Sequence, residues 1–290
     1  MYLVYNSAVA LPAPLTLTPV AFDDSVFTPW DQQAEFGPVT NPIQMTVSFG
    51  TNANGQYRAY LNGIDYLPQK VPTLYTAMNA PAANVNDPTI YGQNSNPFVL
   101  PLGAVVELTL QNHDQNSHPF HLHGHNFQAI ARSDDDAGAF DSTNSTQTQY
   151  PAIPMRRDTF VLHPLGYIVL RFQANNPGIW LFHCHIEWHV DQGLIATMVE
   201  APLELQKTLT IPQNHFDACN VSNIPISGNA AANTKDFLDL TGANAAPNPL
   251  PAGFTARGIV ALTFSVLAAL IGLAVITWYA LVSPRYDPLC

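Results

Sequence analysis

HPFHLHGH at residues 118–125 and HCHIEWHVDQGL at residues 183–194 together hold seven of the ten histidines of this 290-residue chain. The second stretch also holds Cys184, with a histidine on either side of it. Neutral imidazole and thiolate are donors that copper and zinc both accept. This density of donors therefore predicts a metal site.

Strand alternation sharpens that prediction, because neighbouring side chains of an extended chain point to opposite faces and residues two apart share a face. One face should gather four imidazoles, which are those of His121, His123, His183 and His185. The other face should gather Cys184, His118 and, after a turn, His189.

Two His and one Cys with a weak or absent axial ligand are the donor set of a blue-copper centre. Leu194, ten residues after Cys184, would be a non-coordinating axial neighbour that leaves the reduction potential high. The backbone from Cys184 to its two flanking histidines would give electrons a covalent path to metals on the opposite face. A zinc site is the alternative, and it does not call for one Cys between two diverging His.

The chain around these motifs is typical of an all-β antiparallel sandwich or barrel. Short apolar runs are separated by Pro, Gly, Asn and Asp, and the chain contains 25 prolines, which break helices. Strands are predicted at residues 43–49, 98–102, 104–110, 160–162, 168–172, 179–182 and 194–199. One turn of helix is expected near residues 71–78.

The C-terminal region has a different character. Residues 259–282 are a predominantly apolar stretch of 24 residues without a charge, which exceeds the roughly 20 residues needed to cross a bilayer. A buried core helix is the alternative. Two glycosylation sequons, at Asn144 and Asn220, would be used only if the large N-terminal part faces the secretory lumen or the outside of the cell.

Composition excludes two classes of protein. Hydrophobic residues make up 47% and charged residues 11%, which excludes an intrinsically disordered chain. The net charge is −11 with only 10 Lys and Arg, so nucleic acid is not expected as a partner.

Both motifs resemble the copper motifs of the C-terminal cupredoxin domain of multicopper oxidases, over roughly residues 30–205. The resemblance implies a Greek-key cupredoxin sandwich or barrel with copper as cofactor. By position, it implies type 1 copper ligands at His118, Cys184 and His189, a type 2 ligand at His121, and type 3 ligands at His123, His183 and His185. His125 is not a ligand in that family.

Within the family, the chain is most similar to the membrane-anchored iron-transport ferroxidases of fungi. PMRRDT at residues 154–159, the HIEWH form of the second motif, Asp114 and the C-terminal apolar segment carry this similarity. It implies Fe(II) and O2 as substrates and an iron permease as partner. It also implies a single-pass protein of the plasma membrane, or of another secretory-pathway membrane, with its catalytic domain extracellular or lumenal. It further implies that Asp114 belongs to the Fe(II) site and that Glu187 assists proton delivery. A solvated loop carboxylate is the alternative for each.

The chain departs from the family pattern in one respect. The family's trinuclear cluster uses eight histidines, four of them from an N-terminal domain, whereas His113, His163 and His215 here are unpaired. Cys219 also resembles a cysteine that bridges to the first domain. We therefore expect an N-terminally truncated chain.

Two alternatives to a ferroxidase remain: a laccase-like oxidase of small phenolic substrates, and a tethered blue-copper electron carrier without O2 chemistry. A non-catalytic relic is a third. The predicted organisation is a linker or domain remnant at 1–30, the cupredoxin domain at 31–206, a stalk at 207–257, a transmembrane helix at 258–282 and a tail at 283–290.

Overall fold

A computed structural model describes residues 22–250 and 253–282. The predictions made for residues 1–21 and 283–290 lie outside the described residues. Two sheets make up most of the fold. The first has six strands, in the spatial order β2 (Tyr57–Leu61), β1 (Asn41–Thr51), β4 (Val105–Asn112), β9 (Tyr167–Gln173), β6 (Phe127–Arg132) and β7 (Met155–Arg157). The second has five, in the order β3 (Pro97–Leu100), β11 (Ile195–Glu200), β10 (Gly178–Cys184), β5 (His118–Leu122) and β8 (Thr159–Leu162).

Two neighbouring pairs of strands are parallel, which the antiparallel expectation did not include. β1 runs parallel to β4, and β3 runs parallel to β11. Parallel neighbours need a long connection between them. β3 ends at Leu100 and β11 begins at Ile195, so the chain that connects these two parallel strands includes strands β4 to β10.

The main core lies between the two sheets. Val106, Leu108 and Leu170 come from the first sheet, and Phe120 and Phe182 come from the second. The two phenylalanine rings stack with their centroids 5.2 Å apart. The predicted all-β sandwich is therefore confirmed. Apolar residues of both histidine motifs belong to this core, so the motifs lie at its edge.

Short helices connect and cover the sheets. The bounds are α1 (Thr73–Asn79), α2 (Glu187–Asp191), α3 (Pro202–Thr208) and α4 (Gln213–Val221). The helix predicted near residues 71–78 is α1. No helical period in the sequence marks α3 and α4, which are two turns long or little more.

The C-terminal helix α5 (Ala256–Val282) is 27 residues long, and an 18-residue stretch within it has a mean hydropathy of 2.7. Among the described residues it is the one helix long and apolar enough to cross a membrane. None of its residues is buried, so the structure offers no support for a core helix.

The segment predicted as a stalk from residue 207 instead lies on the domain as far as residue 250. Asn229 is fully buried, and its amide donates to the backbone carbonyls of Phe237 and Asp239 at 3.1 and 2.7 Å. Near the end of the segment, the backbone N–H of Leu250 donates to the carbonyl of Thr51 at 2.9 Å. From the end of α4 to residue 250, side-chain amides rather than a helix or sheet satisfy part of the backbone, so the composition there resembles that of a linker.

Candidate copper centre

Cys184, His118 and His189 come together at one end of the core. The sulfur lies 3.5 Å from Nδ1 of His189 and 3.9 Å from Nδ1 of His118, and the two Nδ1 atoms are 3.3 Å apart. The three donor atoms all lie within 4.8 Å of one another. Cys184 and His118 are fully buried, so the group can hold a metal ion away from bulk water.

Three elements position these side chains. His118 begins β5, Cys184 ends β10, and these two strands are hydrogen-bonded neighbours. The chain then turns into α2, which returns His189 to the sulfur. Backbone bonds from Cys184 N–H to Leu194 O (3.2 Å) and from Leu194 N–H to His189 O (2.9 Å) fix this return. Leu194 itself is fully buried in the same core as Cys184.

Asp114 completes the outer side of this group. Its Oδ2 accepts a hydrogen bond from Nε2 of His118 at 3.0 Å. A carboxylate only accepts, so Nε2 carries the proton and the lone pair of His118 faces the sulfur from Nδ1. Burial opposes ionisation of Asp114, but hydrogen bonds from Asn116 and His118 outweigh it and hold its pKa below the ordinary value.

Burial sets the protonation of the three donors. It raises the pKa of the Cys184 thiol to about 11 and lowers the pKa of His118 and of His189. Without a metal, the group therefore holds a neutral thiol and two neutral imidazoles at pH 7. A metal that binds must displace one proton, that of the thiol.

The other four predicted histidines meet on the opposite face of β5 and β10. His121 and His183 face each other across the two strands. The Nε2 atoms of His123 and His183 are 3.0 Å apart, and the ring centroids of His121 and His123 are 4.7 Å apart. The ring of His185 lies 5.6 Å from those of His121 and His183. Strand alternation separates these rings from Cys184 as expected.

Backbone acceptors orient two of these rings. Nδ1 of His121 donates to the carbonyl of Asp158 at 2.9 Å, and Nδ1 of His183 donates to the carbonyl of Cys184 at 2.9 Å. Each ring therefore keeps the lone pair of Nε2 available for a metal. Burial lowers the pKa of His123 and of His183, and neighbouring imidazoles contribute, which keeps both rings neutral.

The remaining predicted residues lie as follows. Glu187 is exposed at the start of α2. His125 is turned away from the four rings and pairs with Glu200. The sequon residues Asn144 and Asn220 are exposed. The buried Cys219 contacts the hydroxyl of Tyr75 at 3.4 Å, far from the motifs along the chain.

Sequence reasoning missed Phe49. Its ring stacks on His118 with the centroids 5.2 Å apart, and it meets the edge of His189 at 4.9 Å. Phe49 lies about 70 residues before the first motif, and an aromatic residue in a strand gives no signal of what it packs against.

A two-sheet β sandwich with this Cys-His-His group defines a copper-binding cupredoxin domain. Residues 66–204 match the family model described as multicopper oxidase. An iron transport multicopper oxidase of Gibberella zeae is 49% identical over 284 residues, covering 98% of this chain and 46% of that protein. One from Saccharomyces cerevisiae is 40% identical over 291 residues, covering 97% and 45%.

Solved structures agree. The crystal structure of Fet3p, described as a multicopper oxidase that functions in iron import, matches with a TM-score of 0.78 and 38% identity over 86% of this chain and 48% of that one. A laccase from Botrytis aclada matches with a TM-score of 0.61 and 27% identity, over 75% and 39%. The chain belongs to the multicopper oxidase family. It spans a little under half the length of the curated relatives it matches.

The donor set fits copper. One thiolate and two imidazole nitrogens converge at the buried group, and four more imidazoles converge behind it, two of them with their second nitrogens oriented by hydrogen bonds to backbone carbonyls. Soft sulfur with imidazole suits copper, and imidazole alone suits it as well.

Proposed function

We propose that this chain is the C-terminal copper-binding part of a ferroxidase that oxidises Fe(II) to Fe(III), with reduction of O2 to water, in iron uptake. One observation carries the proposal: the Asp114 carboxylate lies 3.0 Å from the outer nitrogen of His118, whose inner nitrogen faces Cys184. A site for a hard cation and a site for copper would thus share one imidazole. The iron transport function of the relatives supports the same conclusion.

The proposed ligands follow the two groups of side chains. Type 1 copper would be held by His118, Cys184 and His189, type 2 copper by His121, and type 3 copper by His123, His183 and His185. Copper bound in these sites would accept electrons singly and supply them to O2. The family uses four further histidines, which would come from a part of the relatives that this chain does not span.

Asp114 would bind and tune the iron. Its three hydrogen bonds all end on Oδ2, from the His118 ring and from the backbone and side chain of Asn116. Oδ1 is the oxygen offered to a cation, and the side chain is 19% exposed, so iron can reach it. A carboxylate stabilises Fe(III) more than Fe(II) because the attraction grows with charge, and this favours loss of the electron.

Cys184 would connect the two groups. Its sulfur faces the proposed type 1 site, while its neighbours His183 and His185 face the opposite side. Glu187 lies near enough to His183 to favour the protonated form of that ring electrostatically. An exposed carboxylate at this place can carry protons to reduced oxygen.

We further propose that α5 anchors the protein as a single span in the plasma membrane, with the copper domain outside. Domain division would then be a remnant or linker to residue 30, the cupredoxin domain from residue 31, and the anchor at residues 258–282. The exposure of Asn144 and Asn220 fits glycosylation on that side. The partner would be an iron permease that receives Fe(III).

The test uses the full 290-residue chain in detergent, loaded with copper. We expect an intense thiolate-to-copper absorption band that Fe(II) bleaches under anaerobic conditions. Asp114→Asn should slow bleaching by Fe(II) about 10-fold or more, and leave bleaching by a hydroquinone unchanged, since the variant alters the iron site and keeps the ligands. Asp134→Asn, which changes an exposed loop carboxylate, is the matched control.

Each other outcome has a meaning. Absence of the band contradicts the copper assignment. If Asp114→Asn slows bleaching by Fe(II) and by the hydroquinone equally, Asp114 has no specific role in iron oxidation. If the hydroquinone bleaches the unmodified chain faster than Fe(II) does, a laccase-type oxidase is favoured, and the chain also shares the fold of a laccase.

A further inference from the structure

The turn after β5 holds His123 in place, and its environment is unusually closed. Gly124 follows with a φ of +73°, and a Cβ there would lie 2.5 Å from the indole ring of Trp180. The backbone N–H of His123 donates to the carbonyl of Leu181 at 3.0 Å. Trp180 and Leu181 both belong to β10, so the turn is fitted against the strand that carries His183.

A buried pair lies directly behind this turn. Glu200 is fully buried, and the side chain of His125 is 6% exposed. Nε2 of His125 contacts Oε2 of Glu200 at 2.6 Å, and Oε1 accepts the backbone N–H of Asn176 at 2.6 Å. A carboxylate so far from water persists only where both oxygens are hydrogen-bonded. Glu200 therefore holds two separate loops at once.

Asn176 closes the network. Its side-chain amide donates to the carbonyl of Gly124 at 2.9 Å, and its own carbonyl accepts the indole N–H of Trp180 at 2.8 Å. The carboxylate, the amide and the indole thus hold the residues immediately after His123 from three sides. None of the three belongs to the proposed set of copper ligands.

We propose that Glu200, acting through His125, is a positioning residue that fixes the imidazole of His123 against that of His183. The two Nε2 atoms lie 3.0 Å apart, a separation that depends on the path of the turn. The inference rests on the proposed copper role of these rings. Residues that orient a ligand commonly change metal affinity about 10–100-fold when they are replaced.

The first experiment compares Glu200→Gln with Glu107→Gln in the full chain. Glu107 lies in the other sheet and pairs with the buried Arg171, so its variant also removes a carboxylate from a shielded pair. Copper is titrated against a competing chelator, with the thiolate-to-copper band reporting the Cys184 site and electron paramagnetic resonance reporting copper held by imidazoles alone. We expect Glu200→Gln to weaken the all-imidazole site about 10-fold or more and leave the band unchanged, and Glu107→Gln to change neither.

The second experiment needs no metal. Amide hydrogen exchange of the metal-free chain is measured at His123 and at Leu122. Leu122 is the control because its N–H donates to the carbonyl of Asp158, not to β10. In Glu200→Gln, exchange should accelerate about 10-fold at His123 and remain unchanged at Leu122, because the turn loosens locally. Asn176→Ala, which removes one hydrogen bond from a partly exposed side chain, should give about 3-fold.

The outcomes separate this inference from the proposed function. If the unmodified chain takes up no copper at the four imidazoles, the proposed cluster fails, and exchange at His123 alone judges the positioning role. Unchanged exchange at His123 in a folded Glu200→Gln variant overturns the inference, whatever Asn176→Ala shows. Equal weakening of both copper sites by Glu200→Gln also overturns it, since that result describes a general loss of structure. If Glu200→Gln does not fold, Asn176→Ala decides by the same two measurements.

Discussion

Copper uptake at the Cys184 site should depend on pH with a slope set by one proton. Burial raises the pKa of this thiol to about 11, so pH 7 lies about four units below the pH at which the thiol ionises. Deprotonating it at pH 7 then costs about 5 kcal/mol of the metal's binding free energy. Because the pKa values of His118 and His189 are lowered from their ordinary value, neither ring releases a proton above pH 7.

The expected result is therefore a metal affinity that rises about 10-fold for each pH unit between about pH 7 and pH 9. Competition against a chelator of known pH dependence measures it, with Co(II) as a probe that does not oxidise the thiol. Cys184→Ser is the control and should show no slope. A slope near zero for the unmodified chain would mean that the thiol is already ionised without metal. A slope near two would mean that a histidine is still protonated, and either result refutes the conclusion that burial keeps all three donors neutral.

Three other changes test separate parts of the structure. Replacing Phe49 with Leu should speed copper release from the Cys184 site about 3–10-fold, because the ring that covers the imidazoles of His118 and His189 is lost. The rate is measured by adding a chelator and following the decay of the thiolate-to-copper absorption band. Asn229→Ala should lower the free energy of unfolding by about 1–3 kcal/mol in urea titrations, because buried backbone carbonyls lose their donor, whereas exposed Asn144→Ala should change it by less than about 0.5 kcal/mol. The metal-free chain should lose stability as the pH falls below about 6.5, because the unfolded chain binds protons that the folded His118, His123, His183 and His189 resist; a thermal midpoint unchanged from pH 7 to pH 5 would contradict it.

Local patterns were enough to predict the sandwich and the division of the histidines between two faces. Alternation within β5 and β10 places His118 and Cys184 on the buried side and His121 and His183 on the other, and burial in the structure follows the same alternation. This succeeds because the period of a strand is fixed by backbone geometry, whatever the strand packs against.

Long-range partners were out of reach because strand alternation carries no information about them. The contacts of Phe49 with His118, and of Glu200 with His125, join residues about 70 apart in the chain, and nothing local marks either partner. The predicted stalk failed differently. Its composition is that of a linker, but Asn229 supplies from one side chain the hydrogen bonds that a regular element would supply from its backbone.

The core and the copper site specify the same register of β10. Phe182 and Cys184 face the core, and His183 pairs with His121 on one side and Ile195 on the other. A slip by one residue would move every side chain to the opposite face, burying His183 and exposing Phe182. The apolar core therefore excludes that slip before any metal binds, and the sulfur and its two neighbouring imidazoles are divided between the faces by hydrophobic packing. The hydrogen bond from His183 to the carbonyl of Cys184 adds a second local constraint in the same place.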